Sequence, residues 1–276
     1  MTTLPRSPQL HRRHPARSTK AVAGGSLTRL AAGIATAGAL LAISACGGGG
    51  GGESSEPTGP TIPPNPDTII SASAAAMGEV ESVEFELLRE GAPVFIDSFD
   101  AIALNRATGQ FTVPRSAQAL LEVEVNGSLT TELGAVALDD EIWLSNPVTG
   151  AFETLPAGYD IDPSLFFDPE NGWKPLMANL TDVEFIGTDD VDGVDRYHIR
   201  GIAPAEQVSI ITARLVRNQD VEIDFWIQPV TGLVARAEFS TEAGADESVT
   251  IDWTLVLSGY GEPFEIVPPE NVTGTT

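Results

Sequence analysis

The chain has 276 residues, of which 42% are hydrophobic, which is enough apolar material for a folded domain with a sizeable core. It carries 39 acidic residues against 15 Lys and Arg, giving a formal net charge of −24, and it contains one cysteine, Cys46. A chain this acidic is not expected to bind nucleic acid or to dock electrostatically on anionic lipid headgroups.

Residues 1–45 have the three parts of a secretory signal peptide. A basic segment without acidic residues comes first, an apolar run extends from Leu30 to Ala45, and small residues precede Cys46. The ending Ile-Ser-Ala-Cys resembles a bacterial lipobox, in which the cysteine thiol takes a diacylglycerol and becomes the mature N-terminus. We therefore expect covalent acyl chains on Cys46 and no other cofactor. They would anchor the protein to the extracytoplasmic face of the cell membrane.

Two other interpretations of this segment stay open. A transmembrane helix needs about 20 apolar residues, whereas the run from Leu30 to Ala45 has 16 and contains Thr36 and Ser44. A soluble secreted protein would leave Cys46 as a lone thiol in an oxidising compartment, where unpaired cysteines are unusual. The basic segment before Leu30 is long for a signal peptide, so the position of the true start codon also stays open.

Residues 46–66 are predicted to form a flexible tether. Six consecutive glycines, Gly47 to Gly52, lead into a segment with five prolines, a composition that neither holds a helix nor packs a core. Six of the 15 basic residues and none of the 39 acidic residues precede Cys46, so the chain from Cys46 onward has nine basic residues and a charge of about −30. A well solvated surface is the simplest account of this charge.

A single folded domain is predicted over residues 67–270, followed by a tail at 271–276. It begins with a helix from Asp67 to Met77. Alternating apolar and acidic residues then predict strands with one wet face, for example from Val83 to Leu87 and from Leu121 to Val125. Asn-Gly, Asp-Gly and Pro-Val-Thr-Gly turns separate these runs, which is typical of an antiparallel sheet.

Two further regions break the alternation and are predicted to be helical. Asp162 to Leu180 is interrupted by prolines and a glycine and is predicted as two short helices, and Pro204 to Leu215 is predicted as one helix. Strands are predicted again from Val221 to Ile227 and from Val249 to Leu257. The pattern predicts an α+β fold, in which one curved antiparallel sheet has its concave apolar face covered by short helices.

Five turn and strand segments follow one another along the predicted domain. They are Ile142 to Gly150, Leu165 to Gly172, Gly187 to Gly201 followed by Pro204-Ala-Glu, Asp224 to Glu238, and Leu257 to Pro269. In this order, behind a lipobox and a tether, they resemble the LppX/LprG-type lipoproteins of the mycobacterial envelope.

The resemblance implies a half-barrel of the LolA/LolB type that encloses an apolar cavity. It also implies binding of an acylated lipid or glycolipid, which the protein would carry or present in the cell envelope. The expected partners are the lipid itself, the membrane through the anchor, and an envelope lipid transporter as a further candidate. The charge of about −30 from Cys46 onward exceeds what we expect of this family and leaves the lipid headgroup open.

Apolar residues of the predicted helices are the candidate cavity lining. Plain core packing is an equal interpretation, since helices inside a half-barrel do both. A lipid carrier predicts a cavity well over about 500 Å³. The candidates are Phe166, Phe167, Trp173, Leu176, Met177, Leu180, Val208, Ile211 and Leu215.

Catalytic chemistry is largely missing after Cys46. That part of the chain has one histidine, His198, and one lysine, Lys174, so no Ser-His-Asp, Cys-His or multi-histidine zinc site can be assembled. We therefore do not expect an enzyme. His198 is predicted to be a solvated side chain on the polar face of a strand.

Asp190, Asp192 and Asp195 around Gly193 are the best candidate metal ligands. Because the EF-hand spacing with its closing glutamate is absent, a hairpin turn with exposed acids is favoured over a calcium loop. An alternative function nevertheless uses such acids. A surface adhesion or structural lipoprotein would bind a cationic partner or calcium through its acidic sheet face, in a salt-sensitive or calcium-sensitive way and without a cavity.

Overall fold

A computed structural model of the chain describes residues 64–97, 99–139, 141–155, 166, 168, 170–212, 214–243 and 246–273. All of them fall within one compact unit, Thr58–Thr276. The predicted signal peptide, Cys46, most of the tether and Phe167 lie outside the described residues. Within those residues, no helix is both long and apolar enough to span a bilayer.

Three helices are described: α1 (Pro66–Met77), α2 (Trp173–Ala178) and α3 (Ala205–Ile211). The predicted first helix is confirmed, and it begins where the Asn65 side chain accepts hydrogen bonds from the backbone N–H groups of Asp67 and Thr68. The last predicted helix ends earlier than expected. The Thr212 hydroxyl donates to the Val208 carbonyl oxygen and accepts from the Val216 amide, which competes with further helical hydrogen bonds.

The described strands account for most of the domain. They are β1 (Ser82–Gly91), β2 (Val94–Phe95), β3 (Ile102–Thr112), β4 (Ser116–Val125), β5 (Leu129–Leu138), β6 (Glu141–Ser145), β7 (Phe152–Thr154), β8 (Thr181–Val191), β9 (Val194–Ala203), β10 (Val221–Ile227), β11 (Val234–Ala243), β12 (Asp246–Ser258) and β13 (Val272–Thr273).

These strands form one sheet in the order β13-β7-β6-β5-β4-β3-β1-β12-β11-β10-β9-β8, with β2 paired to β3. Every pairing is antiparallel except the short parallel contact between β13 and β7. The pairing of β1 with β12 joins two meanders, β3–β7 and β8–β12. The sheet is curved, as predicted. It is unclosed, because β8 and β13 end the described path without pairing to each other.

Helices α1 and α2 cover the β8–β12 half of the concave face. Along β10 every second residue is buried, from Val221 to Ile227. Trp173 of α2 packs edge-on against Phe225 of β10, with ring centroids 6.4 Å apart. Leu176 and Met177 of α2 are fully buried beside them. This half of the sheet therefore has a filled core.

The segment after β12 is hydrogen-bonded to the start of β11 and to the start of β1. The Tyr260 hydroxyl donates a 2.6 Å hydrogen bond to the Val234 carbonyl oxygen, and burial raises the pKa of Tyr260. The Gly261 amide donates to the Ser82 carbonyl oxygen, and the Ser82 hydroxyl donates to the Glu262 carbonyl oxygen at 2.7 Å. The closing sequence from Leu257 to Pro269 thus ties the chain after the last long strand to the start of β1.

Candidate functional site

The concave face under β1 and β3–β6 carries an apolar cavity of about 180 Å³. Helices α1 and α2 pack on the other half of the sheet, so here the strands themselves form the floor and residues near α3 form a wall. The lining residues are Phe85, Leu87, Ile96, Leu104, Ala107, Phe111, Ala117, Gln118, Ala119, Leu121, Ala135, Val136, Ala137, Ile142, Trp143, Leu144, Leu155, Phe166, Ile211, Thr212 and Leu215.

Small residues on neighbouring strands make the space. Gly109, Ala119 and Ala135 lie opposite one another on β3, β4 and β5, and the next row places Ala117 opposite Ala137. Side chains of this size cannot fill a concave sheet face, and interiors are otherwise packed nearly to crystal density. A row of small side chains on three strands therefore leaves a trough in the floor of the sheet.

Phe85 lies across this trough at Gly109. A Cβ atom added to Gly109 would come within 2.8 Å of the Phe85 ring and within 2.2 Å of the Gln118 carbonyl oxygen. Only glycine therefore lets the Phe85 ring and the β4 backbone both lie this close to β3 at position 109. The Phe85 ring in turn forms part of the cavity wall.

The two polar residues Gln118 and Thr212 among the described lining residues are already hydrogen-bonded. Gln118 alternates with Ala117 and Ala119, so its side chain lies on the outer face of the sheet, where it donates to Gln110 at 2.7 Å and Gln110 donates to Glu84. Thr212 donates to the Val208 carbonyl oxygen at 2.7 Å. The described walls can therefore receive hydrocarbon, but they offer no unsatisfied hydrophilic side chain to a headgroup.

The candidate lining residues divide between cavity and core. Phe166, Ile211 and Leu215 line the cavity. The α2 residues and Val208 are buried in the filled core: Trp173 is 3% exposed, Leu176 and Met177 are 0% exposed, and Val208 is 2% exposed. Leu180 is half-buried against the same core. Which of these residues contact a lipid stays a prediction.

The floor residues were missed by the sequence argument, although their signal is visible. Ala117 with Ala119 and Ala135 with Ala137 recur at strand period, so that two alanines face the same side of each strand. Large apolar side chains indicate a packed core, whereas a cavity needs small side chains on its floor. The cavity is also smaller than the expected volume of well over about 500 Å³, because α1 and α2 fill half of the concave face.

The outer face of β8–β11 holds a compact polar cluster around His198. The imidazole Nδ1 lies 2.9 Å from Asp189 and Nε2 lies 2.8 Å from Asp224. The ring stacks on Trp226 with centroids 4.5 Å apart. His198 lies on the outer, polar face of the sheet, as predicted. The prediction that its side chain is solvated was wrong, because the strands on either side supply hydrogen-bond partners that leave the side chain only 12% exposed.

Asp224 is the centre of this cluster. Arg200 donates to both of its carboxylate oxygens at 2.9 Å. Burial alone would raise the pKa of Asp224, but the hydrogen bonds from Arg200 and His198 outweigh burial and hold that pKa below its usual range. The cluster links β8, β9 and β10 through side-chain contacts on the outer, solvent-facing side of the sheet.

The candidate metal ligands lie in the β8–β9 turn. The Asp190 carboxylate accepts a hydrogen bond from the Gly193 amide at 3.0 Å, and Asp192 and Asp195 are exposed. Asp192 adopts a left-handed conformation with a φ of 55°. Across the described residues, no group of three or more His, Cys, Asp or Glu side chains is placed to hold a metal ion.

The sequence and the fold of this chain match those of a lipoprotein family. The model of the LppX_LprAFG lipoprotein family matches residues 65–266, and the chain belongs to that family. The resemblance inferred from the turn and strand segments is thereby confirmed.

Among its curated relatives is the lipoarabinomannan carrier protein LprG of Mycobacteroides abscessus. The two are 24% identical over 207 residues, which cover 75% of this chain and 85% of that protein. Two solved structures share the fold. LprF from Mycobacterium bovis has a TM-score of 0.57 at 16% identity, covering 74% of this chain and 96% of that one. The Mycobacterium tuberculosis lipoprotein LppX has a TM-score of 0.53 at 17% identity, covering 75% and 100%.

Proposed function

We propose that this protein binds an acyl chain of a lipid or glycolipid in its concave cavity and carries or presents that lipid in the cell envelope. The observation that carries the proposal is the apolar trough beneath β1 and β3–β6, floored by Ala119 and Ala135. Burying hydrocarbon there would be driven by about 25 cal/mol per Å² of apolar surface. No catalytic group is required for this role.

Membership of a lipoprotein family with a lipoarabinomannan carrier among its relatives supports an acylated lipid or glycolipid as the ligand. The cavity supports the acyl part of that ligand. Because the Gln118 side chain lies on the outer face and Thr212 is already hydrogen-bonded, the polar headgroup would remain outside the cavity, in contact with water.

The cavity admits only a short piece of hydrocarbon as it stands. Its volume of about 180 Å³ is close to the ~150 Å³ of an engineered cavity that accepts one benzene. A longer acyl chain therefore requires a wall to move outward. The α3 wall is the best suited, because α3 has seven residues and only Val208 among them is buried.

The proposal includes the anchor. Acyl chains on Cys46 would hold the domain on the extracytoplasmic face of the membrane. The residues from Cys46 to Pro63 form a chain with a root-mean-square length of roughly 25 Å if fully flexible. The cavity would then work within reach of the bilayer that contains its ligand.

The decisive experiment is lipid analysis of the full chain purified from membranes. Organic extraction removes a non-covalently bound lipid but leaves acyl chains that are bonded to Cys46, so mass spectrometry of the extract and of the protein separates the two. We expect one class of extractable lipid at a fixed ratio to protein. An extract whose composition only mirrors the bulk membrane would contradict the proposal.

A further inference from the structure

One rim of the sheet exposes large apolar side chains next to the cavity. Antiparallel pairing places the β2–β3, β4–β5 and β6–β7 loops at the same end of the sheet. Phe99 of the first loop is 85% exposed, Leu129 at the start of β5 is 59% exposed, and Val148 of the third loop is 90% exposed. We call Phe99, Leu129 and Val148 the apolar rim.

The loop that displays Phe99 is held firmly at both ends. At its start, Arg89 donates to the carbonyl oxygens of Gly91, Ala92 and Leu104 at 2.7 to 2.8 Å. At its end, the Asp97 carboxylate accepts from the amides of Phe99, Ala101 and Ile102 at 2.8 to 3.1 Å. Phe99 is thus presented to water by a fixed scaffold.

The same loop is continuous with the cavity and with the neighbouring turn. Ile96, which precedes Asp97, lines the cavity. The Asn126 amide in the β4–β5 turn donates to the Ala101 carbonyl oxygen at 2.8 Å, which joins the Phe99 loop to the turn before Leu129. The Phe99 loop therefore borders the cavity at this end of the sheet, and the turn before Leu129 lies beside that loop.

We propose that the apolar rim docks on a lipid bilayer and inserts Phe99 into its interface, so that lipid enters the cavity directly from the membrane. This inference rests on the proposed function. A bilayer is favoured over a protein partner by the chain outside the described residues, because a flexible tether of 18 residues from an acylated Cys46 would hold the domain at a root-mean-square distance of roughly 25 Å from its anchor in the membrane.

The charges beside the rim specify the kind of bilayer. Glu90, Asp97 and Asp100 flank the Phe99 loop, whereas Arg89 is occupied by backbone oxygens. Docking is therefore apolar rather than electrostatic and favours neutral or zwitterionic headgroups. Raising the anionic-lipid fraction should weaken the contact, and lowering the salt concentration should not strengthen it.

Residue-specific labelling of the full chain tests the contact. Cysteine is introduced by Phe99→Cys, Val148→Cys or Val230→Cys, the thiol is labelled with the fluorophore NBD, and the chain is reconstituted into phosphatidylcholine vesicles. Val148 and Val230 are a matched pair. Both lie in Pro-Val-Thr-Gly turns and are 90% and 96% exposed, but the turns lie at opposite ends of the sheet.

We expect the label at position 99 to brighten and to be quenched by nitroxide-bearing lipids, with a weaker response at 148 and none at 230. Equal responses at 148 and 230, or no response at 99, would overturn the inference. So would a vesicle-independent response at 99 that grows with protein concentration, since it would identify a second copy as the partner. If the unmutated chain takes up the label at Cys46, that thiol is free and carries no acyl chain. The reason for choosing a bilayer as the partner would then be lost.

A transfer assay separates docking from lipid binding. Phe99→Asp should slow lipid uptake from vesicles by about tenfold or more, while Val230→Asp should not. Both variants should load equally when a detergent delivers the lipid. Quenching at 99 without any uptake by the wild-type chain would support docking and refute the proposed function. Slow uptake of Phe99→Asp by both routes would refute docking as its cause.

Discussion

Ile211 and Leu176 lie on α3 and α2, two short helices that contact each other, yet Ile211 lines the cavity whereas Leu176 is fully buried in the core. Both are apolar residues in a predicted helix, and their sequences do not distinguish them. The difference lies in the strands beneath: α2 packs on large residues such as Phe225, while Ile211 faces the alanine trough.

Tryptophan at these two positions should therefore affect different properties of the protein. Ile211→Trp is expected to fill the cavity, leave the free energy of unfolding within about 1 kcal/mol of wild type and reduce bound lipid. Leu176→Trp overpacks a closed core and should cost about 1–3 kcal/mol. Urea unfolding and quantification of extracted lipid measure the two effects. Equal destabilisation by both substitutions would argue that Ile211 is an ordinary core residue.

The floor of the trough gives a second matched pair. Ala119→Phe places a large ring into the cavity, whereas Leu120→Phe enlarges the next residue of β4, which is 45% exposed on the outer face. We expect Ala119→Phe to lose most of the extractable lipid and Leu120→Phe to retain it. Mass spectrometry of the extracts decides, and circular dichroism verifies the fold. Retention of lipid by Ala119→Phe would place the binding site elsewhere.

Asp224 predicts a stability change in acid. The pKa of Asp224 is lower in the folded chain than in the unfolded chain. At a pH below the ordinary aspartate pKa of about 4, the unfolded chain therefore binds more protons at this residue than the folded chain does. Its stabilising effect is complete above that value and is lost as the pH falls further. Asp224→Asn should be less stable at neutral pH and less sensitive to pH below 4.

Urea unfolding from pH 3 to pH 7 measures this dependence. Asp192→Asn is a suitable control, because it removes one carboxylate from the exposed β8–β9 turn without touching the His198 cluster. Identical acid profiles for Asp224→Asn and the wild-type chain would contradict the assigned role of Asp224.

Tyr260 predicts the complementary change in alkali. Burial raises the pKa of Tyr260 in the folded chain above the value of about 10 that it has in the unfolded chain. The stabilisation that the neutral tyrosine gives the fold is therefore complete below pH about 10 and is lost as the pH rises above it. Tyr260→Phe removes the hydrogen bond to Val234 and should cost about 1 kcal/mol at neutral pH. Above pH 10 the two proteins should converge in stability. Parallel unfolding curves up to pH 11 would count against this effect.

Much of the sheet could be predicted from alternation alone. Val83, Phe85 and Leu87 face inward on β1, and the Pro-Val-Thr-Gly turns fall between strands as expected. Which strands pair at a distance could not be predicted, because alternation reports the buried face of a strand and nothing about its neighbour. The pairing of β1 with β12 is of this kind.

The site was less predictable than the fold. Large apolar residues in a helix look alike whether they meet Phe225 or Ala135, so only the facing strand decides between core and cavity. His198 was misjudged for a similar reason. Its partners Asp189 and Asp224 lie on two different strands, nine and 26 residues away in the chain, and come together only through the register of the sheet.

The pairing of β1 with β12 also has a consequence for how the chain is made. Residue pairs such as Glu84 and Ser258 have high sequence separation, which is typical of slow folding. A chain synthesised from its N-terminus presents an unpaired β1 edge until nearly the whole domain has emerged. Glu84, Glu86 and Glu90 along this strand would discourage neighbouring chains from adding to that edge, so the acidic residues protect the polypeptide before they solvate the finished protein.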